Sequence, residues 1–534
     1  MKIKLIAINS KFIHTNTAVW YLHYSLEKYN MNSEVMTFTV NDDYDEVLRG
    51  IIKDLPDIVC FSCYIWNIER IYELIEDIRK VSPGTKIVLG GPEVSFDCES
   101  VLRKTEADLI IRGEGELVIS PVLSGDRSFG CAYLENGKYI DRGHAVVDDL
   151  NEIPFIFTEE MLEKEKNRII YYESSRGCPY HCIYCLSSTL TGVRYLDTDR
   201  VLKELLMLSK SGVRQIKFVD RTFNLNNERT LGILNFIKNL DTNINFHLEI
   251  YPAALSEKIM TCLGEIKAGR VQIEAGIQST NQKVLDYSKR NQNPALALSN
   301  SKLIIEKGNI HVHLDLLAGL PYEDKHSFIN SFNETIKVRP HVLQLGFLKL
   351  LKGTHARNEK GYTARNKAPY EILETPWLSF IELGEIKKVE QVLEIYYNSG
   401  KFIRTMSYML DHSKSSYHSF LSLAQAIGET GNVNETDRYK ALYDFLGKDK
   451  IKEYLRFDYM ATHSSKSIPE FLKNEYDSKE QSFAYFKKEK KEAREWVKHT
   501  NISTFHMEET TTWLFDYRKK DSVTGTFTFE RIEL

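Results

Sequence analysis

Hydrophobic and polar positions along the first roughly 145 residues alternate between two rhythms. Short runs rich in apolar and β-branched residues ("KIKLIAIN", "SEVMTFTV", "DIVCFS", "KIVLGG", "ADLIIRG") predict strands. Between them, "AVWYLHYSLEKY", "YDEVLRGIIKDL" and "NIERIYELIEDIRKV" carry apolar residues at helical spacing. Such alternation predicts a parallel, doubly wound α/β sheet that binds ligands at the carboxyl ends of its strands. Gly90 and Gly91 directly follow one strand, and Gly113 and Glu114 lie in "RGEGE" (Arg112–Glu116) after the next. Glycines there either let the backbone approach a large ligand or form tight turns. "CAYLENGKYID" predicts a hairpin around Asn136-Gly137, and "DDLNEIPF" a linker.

A second alternating array starts near residue 168, with strand candidates "RIIYYES", "RQIKFVD", "INFHLEIY", "RVQIEAGI", "HVHLDLLAG" and "VLQLGFLKL". Six successive βα units suggest a partial (β/α)6 barrel, open on one side, with its chemistry at the carboxyl ends of the strands. From about residue 360 the pattern turns mainly helical. "FAYFKKEKKEAREWVK" reads as a charged helix and "TTTWLFDYRKKDSVTGTFTFERIEL" as a closing hairpin. This aromatic-rich tail carries no chemical motif, and it is expected to cover the open barrel or shape a substrate pocket. The expected domains are 1–145, 146–360 (with a linker over 146–167) and a mostly helical 361–534.

Composition narrows the setting. Hydrophobic residues make up 42% and charged residues 27%, as in a globular protein with a substantial core. A formal net charge of −4 gives no support to a broad nucleic-acid or anionic-membrane surface. "MKIKLIAINSKF" reads as a first strand, not a signal peptide, and no apolar stretch is long enough to span a membrane. Eight unevenly spread cysteines do not resemble a secreted disulfide framework, so the expected compartment is the reducing cytoplasm.

Three of those cysteines, Cys178, Cys182 and Cys185, crowd into "ESSRGCPYHCIYC" in the loop after the first barrel strand. Thiolates are soft ligands for zinc or iron–sulfur clusters. Structural zinc takes four ligands, no fourth is evident nearby, and His181 is adjacent to Cys182 and cannot readily reach the same ion. A disulfide would strand one thiol. Three thiolates on a cubane cluster leave one iron open for a reacting ligand. Cys60 and Cys63 form a second Cys-x2-Cys, but alternation at a strand end splits the pair, and they read as buried small hydrophobes.

The Cys-x3-Cys-x2-Cys spacing, with Tyr184 just before the last cysteine, resembles the signature of the radical S-adenosylmethionine superfamily. The resemblance implies that Cys178, Cys182 and Cys185 bind a 4Fe–4S cluster whose open iron takes S-adenosylmethionine. Reduction would then release a 5′-deoxyadenosyl radical. "FVDRTFN", containing Asp220, resembles the second-strand end of the cobalamin type, while Glu249, Gln278 and Ser279 match positions that contact the adenosyl ligand. "LLAGLPYED" resembles the fifth-strand Gly-Leu-Pro-Gly-Glu run, except that Tyr322 replaces the second glycine. Each polar match has a plainer reading, barrel-layer packing or helix capping.

With "GGPE" (Gly90 to Glu93) and "RGEGE", the first array resembles the Rossmann-like cobalamin-binding domain of cobalamin-dependent radical enzymes. Ser62 then matches a serine near the buried dimethylbenzimidazole tail. The Asp-x-His-x-x-Gly motif is missing, and His14 lies in the corresponding loop without the flanking aspartate and glycine. The resemblance implies an enzyme that methylates an unactivated carbon or a phosphinate phosphorus, with flavodoxin or ferredoxin as electron donor. Radical rearrangement or cyclisation, a methylthiotransferase and a non-enzymatic cobalamin sensor are the alternatives. If both regions carry cofactors, Gly90, Gly91 and the "RGEGE" loop must face the barrel opening across one cavity.

Overall fold

The computed structural model describes residues 1–190, 192–428, 434–463, 468–474, 479–489 and 493–533. The chain divides into two compact units. The first holds Met1–Glu265, Leu285–Asn291 and Phe347–Pro376; the second holds Ile266–Val284, Gln292–Gly346 and Trp377–Leu534.

The first unit begins with strands β1 (Ile3–Asn9), β2 (Ser33–Thr39), β3 (Ile58–Ser62), β4 (Lys86–Gly90), β5 (Leu109–Ile111), β6 (Cys131–Glu135) and β7 (Lys138–Asp141). They form one sheet in the order β2-β1-β3-β4-β5-β6-β7. The first five strands are parallel and the last two antiparallel. Every residue of β1 is buried, as expected of a central strand covered on both faces. The helix Ile68–Val81 buries Ile68, Ile71, Leu74, Ile75 and Ile78, one stripe at helical spacing. Asn136 and Gly137 both have positive φ (50° and 76°), the conformation a tight two-residue hairpin needs.

The same unit continues into β8 (Ile170–Tyr172), β9 (Ser175–Gly177), β10 (Val193–Tyr195), β11 (Gln215–Phe218) and β12 (Asn245–Ile250). β11 runs parallel to both β8 and β12. β8 is shorter than the run "RIIYYES" suggests, because the chain turns at Glu173–Ser174 and Ser175–Gly177 pairs antiparallel with β10 instead. Hydrogen bonds join the sheet's first loop to this array: Ile169 N–H donates to the Ile13 carbonyl at 2.8 Å, and the Thr15 hydroxyl donates to the Ile169 carbonyl at 2.9 Å.

The second unit contains β13 (Val271–Gln278), β14 (His311–Ala318) and all but the last residue of β15 (Val342–Phe347). β13 and β14 are parallel, and their residues alternate buried and half-buried. β13, β14 and β15 account for the rest of the six strands expected from the sequence, after β8, β11 and β12 of the first unit. Helices follow from Phe380 onward, the first started by a capping box between Ser379 and Glu382. The expected closing hairpin is part of a three-stranded antiparallel sheet, Thr500–His506, Thr510–Lys520 and Phe527–Ile532. The expected charged helix consists of Lys479–Lys488 and Ala493–His499, and the join between them lies outside the described residues. Among the described residues, no helix is long and apolar enough to cross a membrane.

Candidate cofactor site

Asp220, at the end of β11, sets the direction of the cysteine loop. Its buried carboxylate accepts hydrogen bonds from the Ser174 N–H (2.8 Å), the Ser174 hydroxyl (2.6 Å) and the Ser175 hydroxyl (2.7 Å). Those bonds pin the corner between β8 and β9, from which the chain enters Cys178. Burial pushes the Asp220 carboxyl above the usual carboxylate range, opposed by the serine hydrogen bonds.

The loop itself is tightly held. Cys185 N–H donates to the Cys182 carbonyl at 3.1 Å, closing a turn. Ile183 N–H donates to the Ser288 carbonyl at 3.1 Å, and Ala356 N–H donates to the Ile183 carbonyl at 2.9 Å. The Tyr180 ring stacks on Tyr251 at 4.5 Å, and the Arg290 guanidinium covers the Tyr251 ring at 5.3 Å. Tyr184 is half-buried, but its hydroxyl is buried beside the Cys182 thiol, and Arg290 faces the same thiol. All three cysteines are free; Cys178 and Cys182 are buried and Cys185 is half-buried. Among the described residues, no three His, Cys, Asp or Glu side chains converge on a single-ion site. A four-iron cluster has a different requirement, one thiolate on each of three irons, which a short rigid loop bearing three free thiols fits.

A cavity of about 650 Å³ opens at the carboxyl ends of β1, β3, β4 and β5. Ser62, Gly90, Gly91, Gly113 and Glu114 line it. So do Gly177 and Leu186, which flank the cysteine run on either side. The glycine-bearing strand ends and the cysteine loop therefore border one space.

The glycines differ in what they do. At Gly91 φ is +110°, and a Cβ would lie 2.5 Å from the Cys63 carbonyl oxygen. At Gly113 φ is +91°, and a Cβ would lie 2.3 Å from the Ala145 carbonyl oxygen. Both positions are glycine because the protein's own backbone passes there. Around Gly90 the nearest atom to an added Cβ is the Ile111 carbonyl oxygen, at 3.8 Å. Its open face leaves room for a large flat ligand such as a corrin to lie against the strand end, so the residues fit that group. Ser62 Oγ accepts from Asn16 Nδ2 at 3.1 Å on the same wall.

The sequence-predicted carboxylates are mostly engaged within the chain. Glu114 pairs with Arg194 at 2.7 Å and Arg176 at 3.3 Å, and accepts from Val147 N–H at 2.7 Å. Burial raises its pKa, but the two arginines outweigh that and leave it below the ordinary value. Glu93 does not line the cavity; it accepts from the Tyr370 hydroxyl at 2.8 Å. Glu249 lies 3.8 Å from the Lys217 ammonium. In the second unit, Gln278 has φ of +69° at the end of β13, and the fully buried Ser279 donates to Glu323 at 2.5 Å. Cys60 and Cys63 are buried, and burial pushes both thiols up to about 12.

Several residues at this site escaped sequence reasoning. Arg176 binds Glu116 at 2.5 Å, Glu173 at 2.8 Å and Glu114, joining the "RGEGE" loop to β9. His144 and Tyr171 line the cavity, and His14 Nδ1 lies 2.8 Å from the Tyr171 hydroxyl. Apart from Glu173, three positions before Arg176, the partners come from distant parts of the chain, 60 positions away for Glu116 and 157 for the His14–Tyr171 pair.

A doubly wound sheet followed by a partial barrel with this cysteine loop is the domain arrangement of the radical S-adenosylmethionine proteins with a cobalamin-binding domain, and the chain carries matches to both of those domains. Residues 3–123 match the B12 binding domain, 172–334 the radical SAM superfamily, and 358–523 the family described as protein of unknown function (DUF4080). The cofactors that follow from the first two are cobalamin, and S-adenosylmethionine with a 4Fe–4S cluster. An uncharacterized methyltransferase of Pyrococcus horikoshii, PH0819, is 27% identical over 299 residues, 53% of this chain and 64% of that protein. The cobalamin-dependent radical SAM methyltransferase TokK of Streptomyces tokunonensis is 24% identical over 338 residues, 57% of this chain and 48% of that protein. The matches thus span about half to two-thirds of these relatives. Methylthiotransferases also occur among the related proteins. The structure of the cobalamin-dependent S-adenosylmethionine radical enzyme OxsB with aqua-cobalamin superposes with a TM-score of 0.57 at 15% identity, covering 86% of this chain and 79% of that one, a likeness of fold.

Proposed function

We propose that this chain is a methyltransferase that uses a 4Fe–4S cluster, S-adenosylmethionine and cobalamin to methylate an unactivated carbon or a phosphinate phosphorus. The observation that carries this reading is the single cavity bordered by both the strand ends of the sheet and the flanks of the cysteine loop. A radical and a methyl donor must be held almost in contact to react, so the two cofactor sites have to share one space. When bound, the cluster with S-adenosylmethionine supplies the radical and the cobalamin carries the methyl group.

The chain's own residues position and enclose. Cys178, Cys182 and Cys185 each take one iron. Asp220 fixes the corner that delivers them, and Tyr184 and Arg290 shield Cys182 from water. Glu249, Gln278 and Ser279 are assigned to S-adenosylmethionine; Ser279 acts indirectly, because its hydroxyl is already committed to Glu323. Ser62, Gly90, Gly91, Gly113 and Glu114 form the cobalamin side, with Gly90 giving the open face and Glu114 bracing the loop. Glu93 braces the same side from outside the cavity.

Anaerobic incubation with cell extract and methyl-labelled S-adenosylmethionine is the test. Labelled product together with 5′-deoxyadenosine is expected. A rearranged, unmethylated product would favour the cyclisation reading, two clusters per chain the methylthiotransferase reading, and a lasting absence of 5′-deoxyadenosine a sensor.

A further inference from the structure

A basic strap lies against the cysteine loop. Residues 349–370 carry six cations, Lys349, Lys352, Arg357, Lys360, Arg365 and Lys367, against one carboxylate, Glu359, in a chain of net charge −4. Three of these charged groups are used internally. Lys352 is buried and donates to the Glu93 carbonyl at 3.0 Å; Arg357 donates to the Leu350 carbonyl at 2.7 Å; Glu359 accepts from the Tyr287 hydroxyl at 3.2 Å. Lys349, Lys360, Arg365 and Lys367 remain exposed, with no ion-pair partner among the described residues.

Two contacts fix the strap's place. Ala356 N–H donates to the carbonyl of Ile183, the residue after Cys182. Tyr287, which binds Glu359, leads into the segment whose Ser288 carbonyl accepts from Ile183 and whose Lys289 carbonyl lies 3.9 Å from the Cys182 thiol. The Lys289 side chain is itself exposed. No strap residue lines the cavity. The surplus positive charge therefore borders the loop without bordering the cavity where a substrate would react.

We propose that this strap, with Lys289, is the docking surface for an acidic one-electron donor protein. The proposal rests on the reading of Cys178, Cys182 and Cys185 as cluster ligands. One electron passes from the donor's reduced flavin to the cluster; no bond forms or breaks. Electron-transfer encounters bury little area and depend on complementary charge for their association rate. A basic strap would attract RNA as well, but RNA as a substrate would have to reach the cavity, which the strap does not border.

The experiment is stopped-flow reduction of the reconstituted chain by reduced flavodoxin, and separately by dithionite, over a range of potassium chloride concentrations. Flavodoxin reduction of the natural chain should slow steeply with salt. The K349E/K360E/R365E/K367E variant should be reduced by flavodoxin about tenfold or more slowly at low salt, with K360E/K367E in between. Dithionite reduction, iron content and melting temperature should stay unchanged in both variants. Equal flavodoxin rates in variant and natural chain, or a salt-independent rate, would overturn the proposal. So would loss of transfer-RNA binding in the variant at an unchanged flavodoxin rate, which would assign the strap to RNA. If dithionite reduces no cluster even in the natural chain, the cluster reading fails and takes this proposal with it.

Discussion

The cysteine loop and the glycine-bearing strand ends border the same cavity, yet they leave different atoms available to a ligand. In the loop, backbone bonds to Ser288 and Ala356 and the stacking of Tyr180 on Tyr251 hold the chain, and the three thiols stay outside any disulfide. At the strand ends the side chains do the holding. Glu114 is taken by Arg176 and Arg194, and Gly91 and Gly113 are taken by neighbouring backbone. What remains for a ligand there is open backbone at Gly90, a serine hydroxyl and apolar wall. On the proposed reading, one region would bind through side-chain chemistry and the other through shape.

The sharpest way to break that contrast is at the thiols. Replacing Cys178, Cys182 and Cys185 together with alanine should abolish the cluster and all 5′-deoxyadenosine release, because the loop then offers no thiolate to any iron. Iron analysis and electron paramagnetic resonance check this. A full, reducible cluster in the triple variant would sink the assignment. Cobalamin binding should survive, since the strand ends do not depend on the thiols.

The difference between the two regions also explains what could be read from the sequence. The cysteine spacing is local, complete within eight positions, and thiolates have few other uses in such a pattern. The strand and helix rhythms are local too, and the sheet, the hairpin at Asn136-Gly137 and the six barrel strands followed from them. Glu114 and Glu93 looked the same in sequence, as acids beside glycines. Their partners, Arg194 and Tyr370, lie 80 and 277 positions away, and no periodicity signals such a pairing. Asp220 and Ser279 were legible as polar residues at strand ends. Their commitments to Ser174 and Glu323 depend on tertiary packing, as does the early end of β8 at Glu173.

An intermediate effect separates two adjacent glycines. Gly91→Trp should fail to fold normally. Its φ of +110° strains any side chain, and the added Cβ would meet the Cys63 carbonyl at 2.5 Å. That variant therefore reports on the backbone, not on the ligand. Gly90→Val should fold with an unchanged melting temperature, because a β-branched residue suits a strand end with 3.8 Å of clearance. Its cobalamin affinity should fall about tenfold or more as the methyl groups enter the ligand's space, a loss of roughly 1.4 kcal/mol or more. Equilibrium titration with cobalamin is the measurement. Natural affinity in Gly90→Val would show that the ligand does not lie on this strand end.

The smallest expected effect concerns His14, the one residue of the first sheet loop that resembles an axial ligand. It lines the cavity, but its Nδ1 lies 2.8 Å from the Tyr171 hydroxyl. Burial, with Lys11 and Lys217 nearby, lowers its pKa, so the ring is neutral near pH 7. Where Tyr171 donates to Nδ1, the ring's remaining proton sits on Nε2 and no lone pair is left for a metal; the opposite tautomer would leave Nε2 open, and the spectrum tells the two apart. The cob(II)alamin form should therefore show no nitrogen superhyperfine splitting in its electron paramagnetic resonance spectrum. His14→Ala should leave that spectrum unchanged and cost about 1 kcal/mol of stability, the worth of one hydrogen bond. Splitting that disappears in His14→Ala would instead place the imidazole on cobalt. The sheet would then bind its cofactor through side-chain chemistry after all, and the contrast with the cysteine loop would fail at that one residue.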